Sequence, residues 1–156
     1  MKSLRVFNRQ RSRAIHRPLL LQIARHLIDN VLAWRDYEIA VHLIGPVEMA
    51  RLHGKFLQCP GSTDVITFDY GEKKDARRGE IFISVADAEF QARKFGCTWQ
   101  EEITRYVIHG ILHLAGFDDT RPALRRAMKR RENKLLKDLS RLFVLRKLAP
   151  GKNVRG

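Results

Sequence analysis

The sequence predicts an α+β domain, a small mixed sheet of about four strands packed against several helices. Two observations point there. The chain has 156 residues, 44% of them hydrophobic, which suits one core and is too little for several domains. Short β-rich runs and longer stretches with a 3.6-residue apolar period both occur, without strict alternation. No apolar stretch approaches the ~18 residues of a membrane span. Cys59 and Cys97 stand far apart and outside any C-x-x-C spacing, which argues against a disulfide framework and against a cysteine zinc site. Free thiols fit a reducing compartment. The basic N-terminus lacks the apolar segment of a secretory signal, and the chain reads as cytoplasmic.

The elements follow in order. Leu4–Asn8 reads as a strand, which sets aside a transit peptide for the Arg-rich start. His16–Trp34 carries apolar residues at 20, 23, 24, 27, 28, 31 and 32, one amphipathic helix with Pro18 accommodated in its first turn. Tyr37–Ile44 (YEIAVHLI) is a strand stopped by Gly45-Pro46. Val47–Leu57 is a short helix, and Cys59-Pro60-Gly61 a turn. Val65–Tyr70 and Glu80–Val85 are strands flanking a polar loop, GEKKDARRG, and can pair as a hairpin. Asp87–Phe95 is helical up to Gly96. Thr98 with Glu101 forms a capping box, opening a helix that runs to Ala115 and stops at Gly116. Pro122–Phe143 is a basic helix whose apolar positions 124, 128, 135, 139 and 142 form a packing face. The domain spans 1–145, and 146–156 reads as a basic, frayed tail.

Charge divides the chain into three. Thirty Lys and Arg against 17 Asp and Glu give a net +13, distributed as +7 over residues 1–35, −5 over 36–120 and +11 over 121–156. Basic ends attract a polyanion, and an acidic middle can hold a cation. A solvated basic surface with no partner is the plain alternative.

The chemistry concentrates in Tyr106–Phe117 (YVIHGILHLAGF), apolar almost all round and so a buried helix. Its strongly polar side chains are His109 and His113, which an i, i+4 spacing places on one face. Gly116 lets the chain turn back, bringing Asp118 and Asp119 towards them. H-x3-H-x5-D is a three-ligand metal set with a position left open for water or substrate. Two core histidines satisfied by backbone carbonyls, with Asp118-Asp119 capping the next helix, are the alternative. The HExxH of a zinc protease has its general base beside the first histidine, and here that place is Gly110, so a peptidase lacks its proton acceptor.

HGILHLAGFDD resembles the HGxLHLxGYDH signature of the YbeY family, bacterial metal-dependent endoribonucleases of rRNA maturation. Gly61-Ser62-Thr63-Asp64-Val65-Ile66-Thr67-Phe68 is similar to the family's PTDVLSF strand, and Gly79-Glu80-Ile81-Phe82-Ile83-Ser84 to its GDIxIS strand. The resemblance implies a zincin-like metal helix, one Zn2+ held by His109, His113 and Asp119, and cleavage of single-stranded RNA. It also implies 16S rRNA 3′-end processing and ribosome quality control, with rRNA, the ribosomal small subunit and ribosome-assembly proteins as partners. Asp119 stands where the family has its third histidine, a harder donor that admits other divalent metals. Leu57 stands where the family has an arginine, with Lys55 as a substitute RNA contact and His53 as an alternative ligand. No residue is named as general base, and Asp118 is expected to orient a ligand. Arg125, Arg126, Lys129 and Arg130 are the expected RNA contacts of the last helix. A non-catalytic ribosome-associated RNA-binding module with a structural zinc is the second reading, and a zinc protease the third.

Overall fold

The computed structural model describes residues 1–56, 64–71 and 76–151, apart from the side chains of Lys55 and Phe56. Leu57, the expected turn at Cys59-Pro60-Gly61, the first three residues of the second motif, and Lys73 and Lys74 lie outside the described residues. So does the end of the expected tail, 152–156. Lys2–Asn8 (β1), Tyr37–Ile44 (β2), Val65–Asp69 (β3) and Arg77–Ser84 (β4) form one mixed sheet in the order β1-β2-β4-β3. β1 and β4 both run parallel to β2, and β3 is antiparallel to β4, the expected hairpin. The helices are Arg17–His26 (α1), Pro46–Phe56 (α2), Val85–Phe95 (α3), Trp99–Leu114 (α4) and Pro122–Leu142 (α5). The fold is α+β.

The period-2 pattern decides which sheet face is inside. Tyr37, Ile39, Val41 and Leu43 of β2 point inward beside Leu4 and Val6 of β1 and Ile81 and Ile83 of β4. They join Leu20, Ile23 and Leu27 near α1 and Ile103, Val107, Ile108 and Ile111 of α4 in the main core. The opposite face carries a smaller cluster of Ile44, Met49, Ile66 and Phe82, with Leu52 of α2 packed on it.

Glycine sets how closely α4 lies on the sheet. A Cβ on Gly110 would come within 2.7 Å of the Ile81 side chain, and one on Gly79 within 2.5 Å of Leu114. Each glycine receives a large side chain from the other element. Position 110 therefore faces β4, with no room for the glutamate a zinc protease carries there.

Three expectations need correction. The apolar period of residues 16–34 is not one α-helix: after His26 the chain widens into a π turn at Leu27–Val31. Leu32 N–H bonds to the Leu27 carbonyl at 2.9 Å, and Ala33 takes φ +55°. The wider turn rotates Val31 out to 39% exposure, off the face its spacing predicts. β4 begins three residues before Glu80, inside the supposed loop. Arg77 and Arg78 are held in the strand by partners that a polar run does not reveal. Arg77 donates to the Leu114 carbonyl at 3.1 Å, its guanidinium lies 5.0 Å from the Trp34 ring centroid, and Arg78 donates to Asp36 at 3.0 Å. Finally, the segment expected to fray is docked as far as residue 148. Leu145–Leu148 makes a 3-10 turn, Leu148 is fully buried, and its carbonyl accepts from His16 N–H at 2.8 Å.

Candidate metal centre

The site begins with the capping of α4. Thr98 Oγ1 accepts from Glu101 N–H at 3.1 Å, the first bond of the expected capping box, and the Thr98 hydroxyl donates to the Glu101 carboxylate at 3.0 Å. Ten of the helix's 16 residues are buried, so its rotation on the sheet is fixed, and the one-turn spacing puts His109 and His113 together. The helix ends where Gly116 adopts φ +101°, and Phe117 N–H bonds back to the Leu112 carbonyl at 3.0 Å. That turn swings the chain over the histidines.

Three donor atoms converge. His109 Nε2 and His113 Nε2 are 3.0 Å apart, and Asp119 Oδ2 lies 3.6 Å from the first and 3.4 Å from the second. Among the described residues this is the one group of three or more His, Cys, Asp or Glu side chains with donor atoms close enough to share an ion. His53 does not join it. A tetrahedral zinc with ligands at about 2.0–2.1 Å needs donor separations of about 3.3 Å, so the triangle matches one face of such a tetrahedron.

The other ring nitrogens fix the proton positions. His113 Nδ1 lies 3.0 Å from the Phe117 carbonyl, and a carbonyl only accepts, so this Nδ1 carries the hydrogen. His109 Nδ1 lies 2.6 Å from Glu132 Oε2 and donates to that carboxylate. With each imidazole neutral, Nε2 is then the bare lone pair, aimed at the other and at a carboxylate oxygen. Three acceptors face to face repel unless something positive sits among them. The donor set fits a divalent ion.

Glu132 is the residue that sequence reasoning missed. It sits in the middle of α5, 4% exposed, with Oε1 3.6 Å from Arg105 Nη1 and Oε2 on His109. A carboxylate behind a ligating histidine fixes its tautomer and raises its basicity. The expected apolar face of α5 is corrected with it: the buried positions are Met128, Glu132, Leu135, Leu136 and Leu139, while Leu124 and Leu142 are exposed. An acid flanked by Met128, Leu135, Leu136 and Leu139 on one helix stripe was the available signal. Asp118, expected to orient a ligand, bonds within its own loop. Its carboxylate accepts from Thr120 N–H at 3.0 Å and Thr120 Oγ1 at 2.8 Å, which hold its carboxyl below the ordinary aspartate value. Asp118 shapes the loop that delivers Asp119, and the histidines are held by Glu132 and Phe117.

The cluster opens into a cleft of about 1010 Å³ between the edge strand β3 and helices α4 and α5. Val65, Ile66 and Thr67 line one side, and Arg125, Met128 and Lys129 the other. Tyr106 donates to Asp64 Oδ2 at 2.9 Å, tying α4 to the start of β3. Cys97 lies at the far end with its thiol 3.4 Å from Glu102, and burial beside that carboxylate pushes the thiol up to about 11. Arg105 is committed to Glu102, Glu132 and Asn133. Arg125 and Lys129 therefore supply the cleft's uncommitted positive charge among the described residues. Arg126 and Arg130, expected with them, are exposed and do not line the cleft. The expected contact of Lys55 lies outside the described side chains.

Fold and site define a class: an α+β protein with a candidate His-His-Asp metal centre on a buried helix, set beside a groove along a sheet edge. The chain belongs to the endoribonuclease YbeY family, whose model matches residues 5–140. It is 37% identical to the endoribonuclease YbeY of Chlorobaculum parvum over 130 residues, covering 83% of this chain and 90% of that protein. Against the Corynebacterium efficiens protein of the same name it is 30% identical over 148 residues, 87% of this chain and 74% of the relative. The solution structure of TM1509 from Thermotoga maritima shares the fold, with a TM-score of 0.65 and 24% identity over 98% of this chain and 99% of that one. Membership places the chain among hydrolases that cut RNA internally. No helix among the described residues is long and apolar enough to cross a membrane.

Proposed function

We propose that the chain is a metal-dependent, single-strand-specific endoribonuclease of rRNA maturation, acting at the 16S rRNA 3′ end and in ribosome quality control. One divalent ion, zinc in the first instance, is held by His109, His113 and Asp119. The convergence of their three bare donor atoms at the mouth of a groove carries this reading. Family membership supports the RNA substrate, and rRNA and the ribosomal small subunit are its partners in this account. When bound, the ion supplies a Lewis acid for the scissile phosphate.

The chain's own residues do the rest. Glu132 and the Phe117 carbonyl hold the two Nδ1 hydrogens, so both Nε2 atoms stay available as donors. Arg125 and Lys129 draw the backbone into the cleft. A purely structural zinc takes four protein ligands, whereas three donors converge here among the described residues, which favours catalysis over the RNA-binding module. The protease reading is disfavoured by position 110, packed on Ile81. The test is cleavage of a single-stranded 16S 3′-end RNA with and without chelator, against a duplex control. Cutting of the single strand that stops with chelator and returns with zinc is expected. Cutting unaffected by chelator would overturn the metal reading.

A further inference from the structure

α5 turns two separate basic faces to solvent. Arg125 and Lys129 line the cleft, whereas Arg126, Arg130, Lys137 and Arg141 lie opposite the stripe of buried Met128, Glu132, Leu135, Leu136 and Leu139. Their intervals of 4, 7 and 4 keep the four in one row, about 22 Å long at 1.5 Å per residue. All four are exposed, and none has an acidic partner among the described residues. The helix's two acids are engaged elsewhere, Glu132 with His109 and Arg105 and Asp138 with Lys134 at 3.5 Å. A straight row of uncompensated cations on a rigid helix repels itself, and a linear polyanion relieves that repulsion.

The chemistry of the face selects among polyanions. A helix that lies in a lipid surface inserts large apolar side chains beside its cations. Between these four cations the same face carries Asn133 and Lys134, and the exposed Leu124 and Leu142 point elsewhere. The near end of the row adjoins Arg125 at the cleft, and the far end lies four turns away. We propose that this row binds the sugar–phosphate backbone of the RNA outside the cleft, holding the strand where it leaves the cutting site. The proposal rests on the reading of the chain as a ribonuclease.

The experiment compares the full chain with a variant carrying Arg126→Gln, Arg130→Gln, Lys137→Gln and Arg141→Gln. Binding is measured against salt for single strands of about six and about forty nucleotides, and for phosphatidylglycerol vesicles. Each phosphate contact on a single strand contributes about 0.7 to the slope of log affinity against log salt. The variant's slope on the long strand should be shallower by about 3 units, with the short strand bound equally by both proteins. Identical slopes on the long strand would overturn the proposal. So would a variant that loses vesicle binding while keeping its long-RNA affinity. Binding is read without cleavage, so the two readings fail separately. A chain that shows the slope difference but never cuts refutes the nuclease and keeps the row; one that cuts with unchanged slopes refutes the row alone.

Discussion

The two longest helices pack against each other and use their surfaces in contrasting ways. α4 buries ten of 16 residues, so each polar group it carries inside is committed to a partner: His109 to Glu132, Tyr106 to Asp64, Thr104 to the Gln100 carbonyl. α5 buries five of 21 and leaves most of its cations in water. Geometry is fixed on the first and field on the second. Position-sensitive groups sit where packing over-determines them, and long-range attraction is left to flexible side chains whose exact placement matters little. Glu132 is the exception on α5, the one acid that crosses from the charged helix into the buried site.

Substitutions at the contact between the helices should therefore be far more costly than those on the outer face. Glu132→Gln keeps a hydrogen-bonding shape but removes the carboxylate behind His109. Loss of such a partner typically lowers metal affinity or activity by about 10–100-fold. Zinc titration against a competing chelator measures it, and an affinity within twofold of the parent would show that Glu132 does not tune the ligand.

Gly110→Ala probes the rigid side of the comparison. Overpacking against Ile81 costs about 1–3 kcal/mol, more than the roughly 1 kcal/mol that alanine contributes to a helix interior. The urea midpoint should fall. A stabilised variant would mean that α4 can lift off β4 freely, and the fixed geometry of the site would lose its basis.

The smallest effect belongs to the field. Arg125→Gln with Lys129→Gln should leave stability and metal content unchanged and weaken RNA binding across sequences, flattening the salt slope by about 1.4 units for two contacts. A sequence-dependent loss would instead place these side chains on bases.

The sequence made α4 legible and α5 only half so, for the same reason. The Thr98 cap, the His109–His113 spacing, the Gly116 turn and Asp119 lie within 22 residues, where helical geometry converts spacing directly into proximity. Glu132 lies 23 residues from His109 and meets it only because α5 folds back across α4. Likewise, Arg77 joins β4 through the carbonyl of Leu114, and Leu148 is buried through a bond to His16, both long-range contacts invisible to local pattern. The π turn at Leu27–Val31 is a local departure that the apolar period alone does not reveal.

The central claim is that His109, His113 and Asp119 together hold one divalent ion. Metal analysis of the purified protein by mass spectrometry, beside His113→Ala, tests it most directly. About one divalent ion per chain is predicted for the parent and essentially none for the variant, both remaining folded by circular dichroism. Equal metal content in the two proteins would contradict the account.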